Sequence, residues 1–195
     1  MTRLAVLLIL CAALLPAQPM SSGDRNYILS HFHATRKLFL DSIAGLGASQ
    51  WSYKPAAGRW SIAEIAEHVV LSEDVLFAEF RKLLAKPAGA ARKVEREEDE
   101  KILQWITNRG NKAEADAGLQ PTGRWKTPEE MAREFKARRD RTIDYLIRTN
   151  DNLRGRLRGE EQKIDAYQWL LILSGHVERH VAQINEVKAA AGYPR

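Results

Sequence analysis

Cysteine is nearly absent: Cys11 is the single one in 195 residues, and it lies inside an N-terminal apolar run. A disulfide framework is therefore excluded, and the chain has to be held by its core alone. Lipid attachment at Cys11 is disfavoured, because Leu10 precedes it where a small residue is normal and the apolar run continues beyond it. Strand-length segments of alternating polarity are missing, which removes a sheet-based fold. No apolar run reaches the length of a membrane-spanning helix; the longest, Leu4 to Leu15, falls short. Aromatic interleaving of the basic residues is sparse and no nucleic-acid motif occurs, so the formal charge of +5 does not imply a nucleic-acid partner.

What is present begins with a leader. Arg3, the apolar run to Leu15, then Pro16 and the small residue Ala17 have the layout of a secretory signal. Residues 1–20 are read as a signal peptide, cut between about residues 17 and 21, and residues 21–195 as one domain. The expectation is a secreted or periplasmic protein without stable membrane insertion after cleavage. At 45% hydrophobic and 28% charged residues, the remainder suits a single packed domain.

Helical periodicity fills that domain. Ile28, Phe32, Phe39, Ile43 and Leu46 recur at three- and four-residue steps over about 24–46. After a connector rich in tryptophan, proline and glycine, Ser61 and Glu64 form a capping box that opens a second helix reaching about Lys86. Arg92 to Glu100 reads as a charge run that forms a solvated loop or a frayed helix start, followed by a short helix over about 101–108. The stretch to Arg124 is irregular, with Pro121 as a turn. Thr127-Pro128-Glu129-Glu130 reads as a second capping box with proline at the first helical position, starting a helix that ends near Thr149. Asn150 to Gly159 reads as polar connector, and a last helix runs from Ile164 to Ala191. The expected fold is all-α: a four-helix bundle with a short extra helical segment between the second and third long helices. Two basic clusters, Arg133, Lys136, Arg138, Arg139 and Arg141, then Arg154, Arg156 and Arg158, read as solvated helix face.

Five histidines carry the chemistry. His176 and His180, four apart on the last helix, project side by side within the stripe of Leu170, Leu173, Val177, Val181 and Ile184, and can close on one ion. The spacing evokes the HExxH helix of zinc proteases, but Glu178 lies about 200° around the helix from His176 and cannot serve as that motif's base. A pair at this spacing also arises by chance on many helices. His68 alters the balance, since it falls three after Ile65 on the inward side of the second helix. Three buried imidazoles without partners would be costly, whereas one ion between facing helices satisfies them and leaves a coordination position open. His31 and His33, two apart, point to nearly opposite sides and cannot chelate together; His31 borders the apolar stripe.

Trp51 to Pro55, Gly58-Arg59-Trp60-Ser61-Ile62 through Glu67-His68, His176 to Ile184 with Glu186-Val187, and Gly192-Tyr193-Pro194 resemble the DinB-like superfamily. The resemblance implies a four-helix bundle with a long crossover connection and one divalent ion, commonly zinc or nickel, held by His68, His176 and His180. The superfamily includes bacillithiol S-transferases and a mycothiol-dependent isomerase. Those use cytosolic thiols, which fits poorly with an exported chain, so hydrolysis through an activated water competes with thiol transfer. Glu64, one turn before His68, and Gln183, three after His180, are candidates to orient an imidazole or the water. The residues name no activated nucleophile or general base. Two functions therefore stay open: a metal-dependent transferase or hydrolase acting on an unknown small molecule, and a non-catalytic bundle that binds a small ligand or metal. Exposed helix faces could support a homodimer.

Overall fold

The computed structural model describes residues 19–110, 114–159 and 164–195, so the expected leader, apart from its last two residues, lies outside the described residues. Among the described residues six helices carry the fold: α1 (Ser22–Ile43), α2 (Ala48–Ser52), α3 (Ile62–Leu84), α4 (Arg96–Thr107), α5 (Pro128–Arg148) and α6 (Ala166–Lys188). A 3-10 turn spans Ala117–Leu119, and two two-residue strands, β1 (Leu157–Arg158) and β2 (Ile164–Asp165), pair antiparallel ahead of α6. Among the described residues no helix is long and apolar enough to cross a membrane.

Local signals account for the helix starts. The Ser21 hydroxyl accepts from the Asp24 amide, and Ser61 and Glu64 make the expected reciprocal box at α3. At α5 only half of the expected box forms: Thr127 accepts from the Glu130 amide, but the Glu130 carboxylate takes the amide of Lys126 instead of that of Thr127. Asp165 and Gln168 make a reciprocal box at α6. Met20, at the end of the expected leader, is buried in the core.

The long helices α1, α3, α5 and α6 form a four-helix bundle. Both α1 and α3 pack against α5 and α6, which sets α1 diagonally opposite α3 and α5 opposite α6. The consecutive pairs α1/α3 and α5/α6 are therefore diagonal, with connections that cross the bundle's ends, whereas α3 and α5 are adjacent. The segment 85–127 carries α4, which lies along α6. Gly175 allows that approach: a Cβ there would stand 2.5 Å from Ile106 Cγ2 and 3.2 Å from Leu103 Cδ2.

The core has two apolar halves. One gathers Phe32, Phe80, Leu146, Tyr167 and Leu170; the other Phe39, Ile65, Val69, Phe135, Val177 and Val181. A polar layer lies between them, one residue group from each long helix. Arg139 on α5 is fully buried and donates to Glu73 on α3 at 2.5 Å, and its other nitrogen reaches Thr35 on α1 and Ser174 on α6 at 3.3 and 3.4 Å. Phe32 and Phe135 face the guanidinium with their rings, one from each half.

Several expectations about charge need correction. The first basic cluster is not uniformly solvated, since Arg139 is buried and Arg138 half-buried between Asp74 and Glu134. The charge run 92–100 is exposed at Lys93, Glu95, Glu97, Glu98 and Glu100, but not throughout. Helix α4 already starts at Arg96, and Asp99 is fully buried against Arg154, at 2.7 and 3.0 Å. Arg154 also reaches Asp165 at 3.2 Å and Asp24 at 3.4 Å, and stacks on Tyr167. The expected polar connector 150–159 therefore contributes Asn152, Leu153 and Arg154 to the interior. Burial of these charges is tolerated because each carboxylate and guanidinium finds an opposite partner.

Candidate metal centre

Helix α3 brings His68, and α6 brings His176 and His180, to one point beside α4. Each sits on an inward stripe: His68 next to buried Val69, and the α6 pair around buried Val177 and Val181. His68 and His180 are buried, and His176 is half-buried at the floor of an open cleft. One ligand nitrogen from each ring lies within 4.8 Å of the other two. The Nε2 atoms of His176 and His180 are 3.1 Å apart. That separation is close to the ~3.3 Å that two nitrogens subtend at a tetrahedral ion with bonds of about 2.0–2.1 Å.

Hydrogen bonds fix the tautomers. His68 Nδ1 is 3.0 Å from the Leu119 carbonyl, which can only accept, so Nδ1 carries the proton and Nε2 keeps its lone pair. His180 Nδ1 is 2.8 Å from Gln183 Oε1, with the same consequence. These are the outer contacts that orient ligating histidines in metal sites. All three rings are held neutral. Burial pushes His68 down, and burial together with its imidazole neighbours pushes His176 well down and His180 to about 3. Neutral imidazoles, with Nε2 bare in His68 and His180, are the form that binds a transition-metal ion.

The segment that follows Leu119 is held by Glu67, a residue of the family resemblance to which the sequence reading gave no role. Glu67, buried beside His68, accepts from the amides of Thr122, Gly123 and Arg124 at 2.9, 2.7 and 3.3 Å, and from the Thr122 hydroxyl at 3.1 Å. Gly123 has φ +74°, which turns successive amides toward one carboxylate. The irregular stretch before Arg124 is thus strapped to α3 and forms one wall of the site. The signal available in the sequence was the carboxylate adjoining His68 on a helix whose flanking residues are apolar.

Glu64 does not reach an imidazole through any hydrogen bond in the structure. Its carboxylate takes the Ser61 amide at 2.8 Å and Lys54 at 2.7 Å; partial burial pulls its pKa upward, but these contacts prevail and hold it low. Gln183 does contact His180. Glu178 points away from the triad toward His31, 3.8 Å off. His31 belongs to the polar layer, with Nδ1 2.8 Å from Ser174, and His33 is exposed.

The cleft over the triad has a volume of about 1150 Å³ and is bordered by Trp60, Trp105, Arg59, Arg109 and Glu186. Trp60 rests on His68 with ring centres 5.1 Å apart. Among the described residues no carboxylate hydrogen-bonds any of the three imidazoles. The cleft's carboxylates are Glu114, Asp116 and Glu186.

Comparison with known proteins agrees with this layout. YuaE of Bacillus subtilis strain 168, a protein described as uncharacterized, is 26% identical over 162 residues, covering 82% of this chain and 96% of its own. The solved structure of YfiT from Bacillus subtilis superposes with a TM-score of 0.58 at 15% identity, over 92% of this chain and 94% of that one, a likeness in fold. YfiT is described as a probable metal-dependent hydrolase with an unusual four-helix bundle topology. The sequence pattern of the DinB superfamily matches residues 31–184, a span that contains His68, His176 and His180, and the chain belongs to that superfamily.

Proposed function

We propose that this protein is an exported metal-dependent hydrolase in which His68, His176 and His180 hold one divalent transition-metal ion, zinc or nickel, facing the cleft. The observation that carries the reading is the convergence of three neutral imidazoles whose outer nitrogens, in His68 and His180, are already committed to Leu119 and Gln183. Such an ion, with a position left open, supplies Lewis acidity and brings the pKa of water toward neutrality. The chain's own residues do the rest. Leu119 and Gln183 keep the proton on Nδ1, and Trp60 screens one face of His68 from water. Glu186 is tied to Arg109 and Arg59, which hold its carboxyl low and make it a poor base. Glu114 and Asp116 are the cleft carboxylates left to accept a proton. YfiT's description as a probable metal-dependent hydrolase supports the same choice of chemistry.

Thiol transfer remains an outcome of the test. A second reading, a binding bundle without turnover, is favoured by one observation: Glu64 and Glu67, the carboxylates nearest His68 in sequence, are both occupied by other partners. The test is a screen of metal-reconstituted protein against activated esters, amides, phosphoesters and thiol acceptors. Turnover that disappears in His68→Ala is expected; saturable binding with no turnover contradicts the enzyme reading. Export is tested by N-terminal sequencing of the protein from its cells, where a start between about residues 18 and 22 is expected and a chain still beginning at Met1 contradicts it.

A further inference from the structure

One wall of the cleft concentrates guanidinium groups. Arg109, just after α4, grips Glu186 of α6 in a two-pronged pair, Nε to Oε1 and Nη2 to Oε2, both 3.1 Å. Arg59, ahead of α3, reaches the same Oε2 from the other side at 3.4 Å. Arg179, one turn before Gln183, donates to the Ile106 and Asn108 carbonyls and so fixes the end of α4 that carries Arg109. A single carboxylate thus answers two guanidiniums, each of which has five N–H donors in a fixed fork. The Arg59 side chain is 55% exposed and that of Arg109 30%, so their remaining donors are open to the cleft. Glu114 and Asp116 stand on the separate segment 114–120 and are not paired with these arginines in any salt bridge. Beside the arginines, Trp105 offers an indole that is 56% exposed, an unusual degree for so large an apolar group on a cleft wall.

We propose that Arg109 and Arg59 form the anion-holding subsite of this cleft, and that the small molecule it takes carries a carboxylate, phosphate or phosphonate group joined to a flat apolar body that lies on Trp105. Planar guanidiniums are suited to such groups because they bind two oxygens at once. Glu186 acts as the stand-in anion: it preorganises both arginines, and an incoming ligand competes with it for their donors. The placement of this subsite beside the reacting centre rests on the proposed function, but the subsite itself does not.

The test uses chelator-treated protein, so that an ion cannot attract the anion. Phenylphosphonate, phenylacetate and the uncharged phenylacetamide are titrated while the indole N–H resonances are followed by NMR. The two anions are expected to bind saturably, and phenylacetamide about tenfold more weakly than phenylacetate. Arg109→Gln combined with Arg59→Gln should remove that tenfold difference. Glu186→Gln should tighten binding of the anions, because it frees donors and deletes a competing charge. If Glu186→Gln weakens binding as the arginine variant does, the three residues are only a structural clasp and the proposal fails. Equal affinity for phenylacetate and phenylacetamide overturns it as well, as does anion binding that requires added metal and ignores both substitutions. Arginine-dependent anion binding in a protein that never takes up metal would leave this subsite standing while removing the proposed hydrolase.

Discussion

Acid should destabilise the metal-free protein through its triad, and the size of the effect follows from the buried imidazoles. In the unfolded chain a histidine titrates near pH 6.5. In the fold, burial and neighbouring rings lower His180 to about 3 and push His176 well down as well. Between those values the unfolded state binds protons that the folded state refuses, so stability present above about pH 6.5 is lost as pH falls. A group refused its proton in this way costs about 1.4 kcal/mol per pH unit, so His180 alone accounts for roughly 2 kcal/mol between pH 6.5 and 4.5, and His176 adds to it in the same direction. That is a sizeable share of the 5–15 kcal/mol typical of a domain. His68 and His31 are also lowered and act in the same direction. Glu73 is raised by burial against the pull of Arg139 and acts oppositely, so the triad's share has to be read as a difference. Urea unfolding of chelator-treated protein across this range, for the natural chain and for His176→Asn/His180→Gln, provides that difference. The variant is expected to lose less stability on acidification, by roughly 1 kcal/mol per pH unit or more. Identical pH dependence in the two proteins would refute neutral burial of the pair.

Three substitutions probe the supports around the site. Gln183→Leu removes the acceptor for His180 Nδ1–H and should weaken metal affinity about 10- to 100-fold in a chelator competition, with the fold intact by circular dichroism; unchanged affinity would detach Gln183 from the site. Glu67→Gln turns an amide donor toward N–H groups that now share a carboxylate, and should cost about 1–3 kcal/mol while speeding hydrogen exchange at Thr122, Gly123 and Arg124. Unaltered exchange there would mean the strap is held by something else. Gly175→Ala sets a methyl 2.5 Å from Ile106 Cγ2, so a destabilisation of about 1–3 kcal/mol by urea denaturation is expected; a neutral result would show that α4 can ride outward freely.

The long helices and the triad were legible because they depend on local rules: period 3.6, capping chemistry, and inward stripes that carry His68, His176 and His180. What was misread depends on partners far along the chain. Asp99 looked like one more charge in a charged run, yet it lies three before Ile102 and four before Leu103, on the stripe of its helix, and its partner Arg154 is 55 residues away. Arg139 likewise fills the gap between Phe135 and Ile143 in the α5 stripe, with Glu73 66 residues earlier. Composition marks such residues as surface; their place in the apolar periodicity marks them as buried and paired. The role of Glu67 was not legible for a related reason: its ligands are backbone amides of an irregular segment, and backbone amides leave no trace in residue type.

That His68, His176 and His180 on α3 and α6 hold one ion is the proposal on which the rest depends. Elemental analysis of the purified protein, beside a His68→Ala/His180→Ala variant shown to be folded, tests it most directly. About one equivalent of a divalent transition metal in the natural chain and its loss in the variant are expected. Equal metal content in the two proteins, or none in either after growth and purification with zinc and nickel supplied, would contradict it.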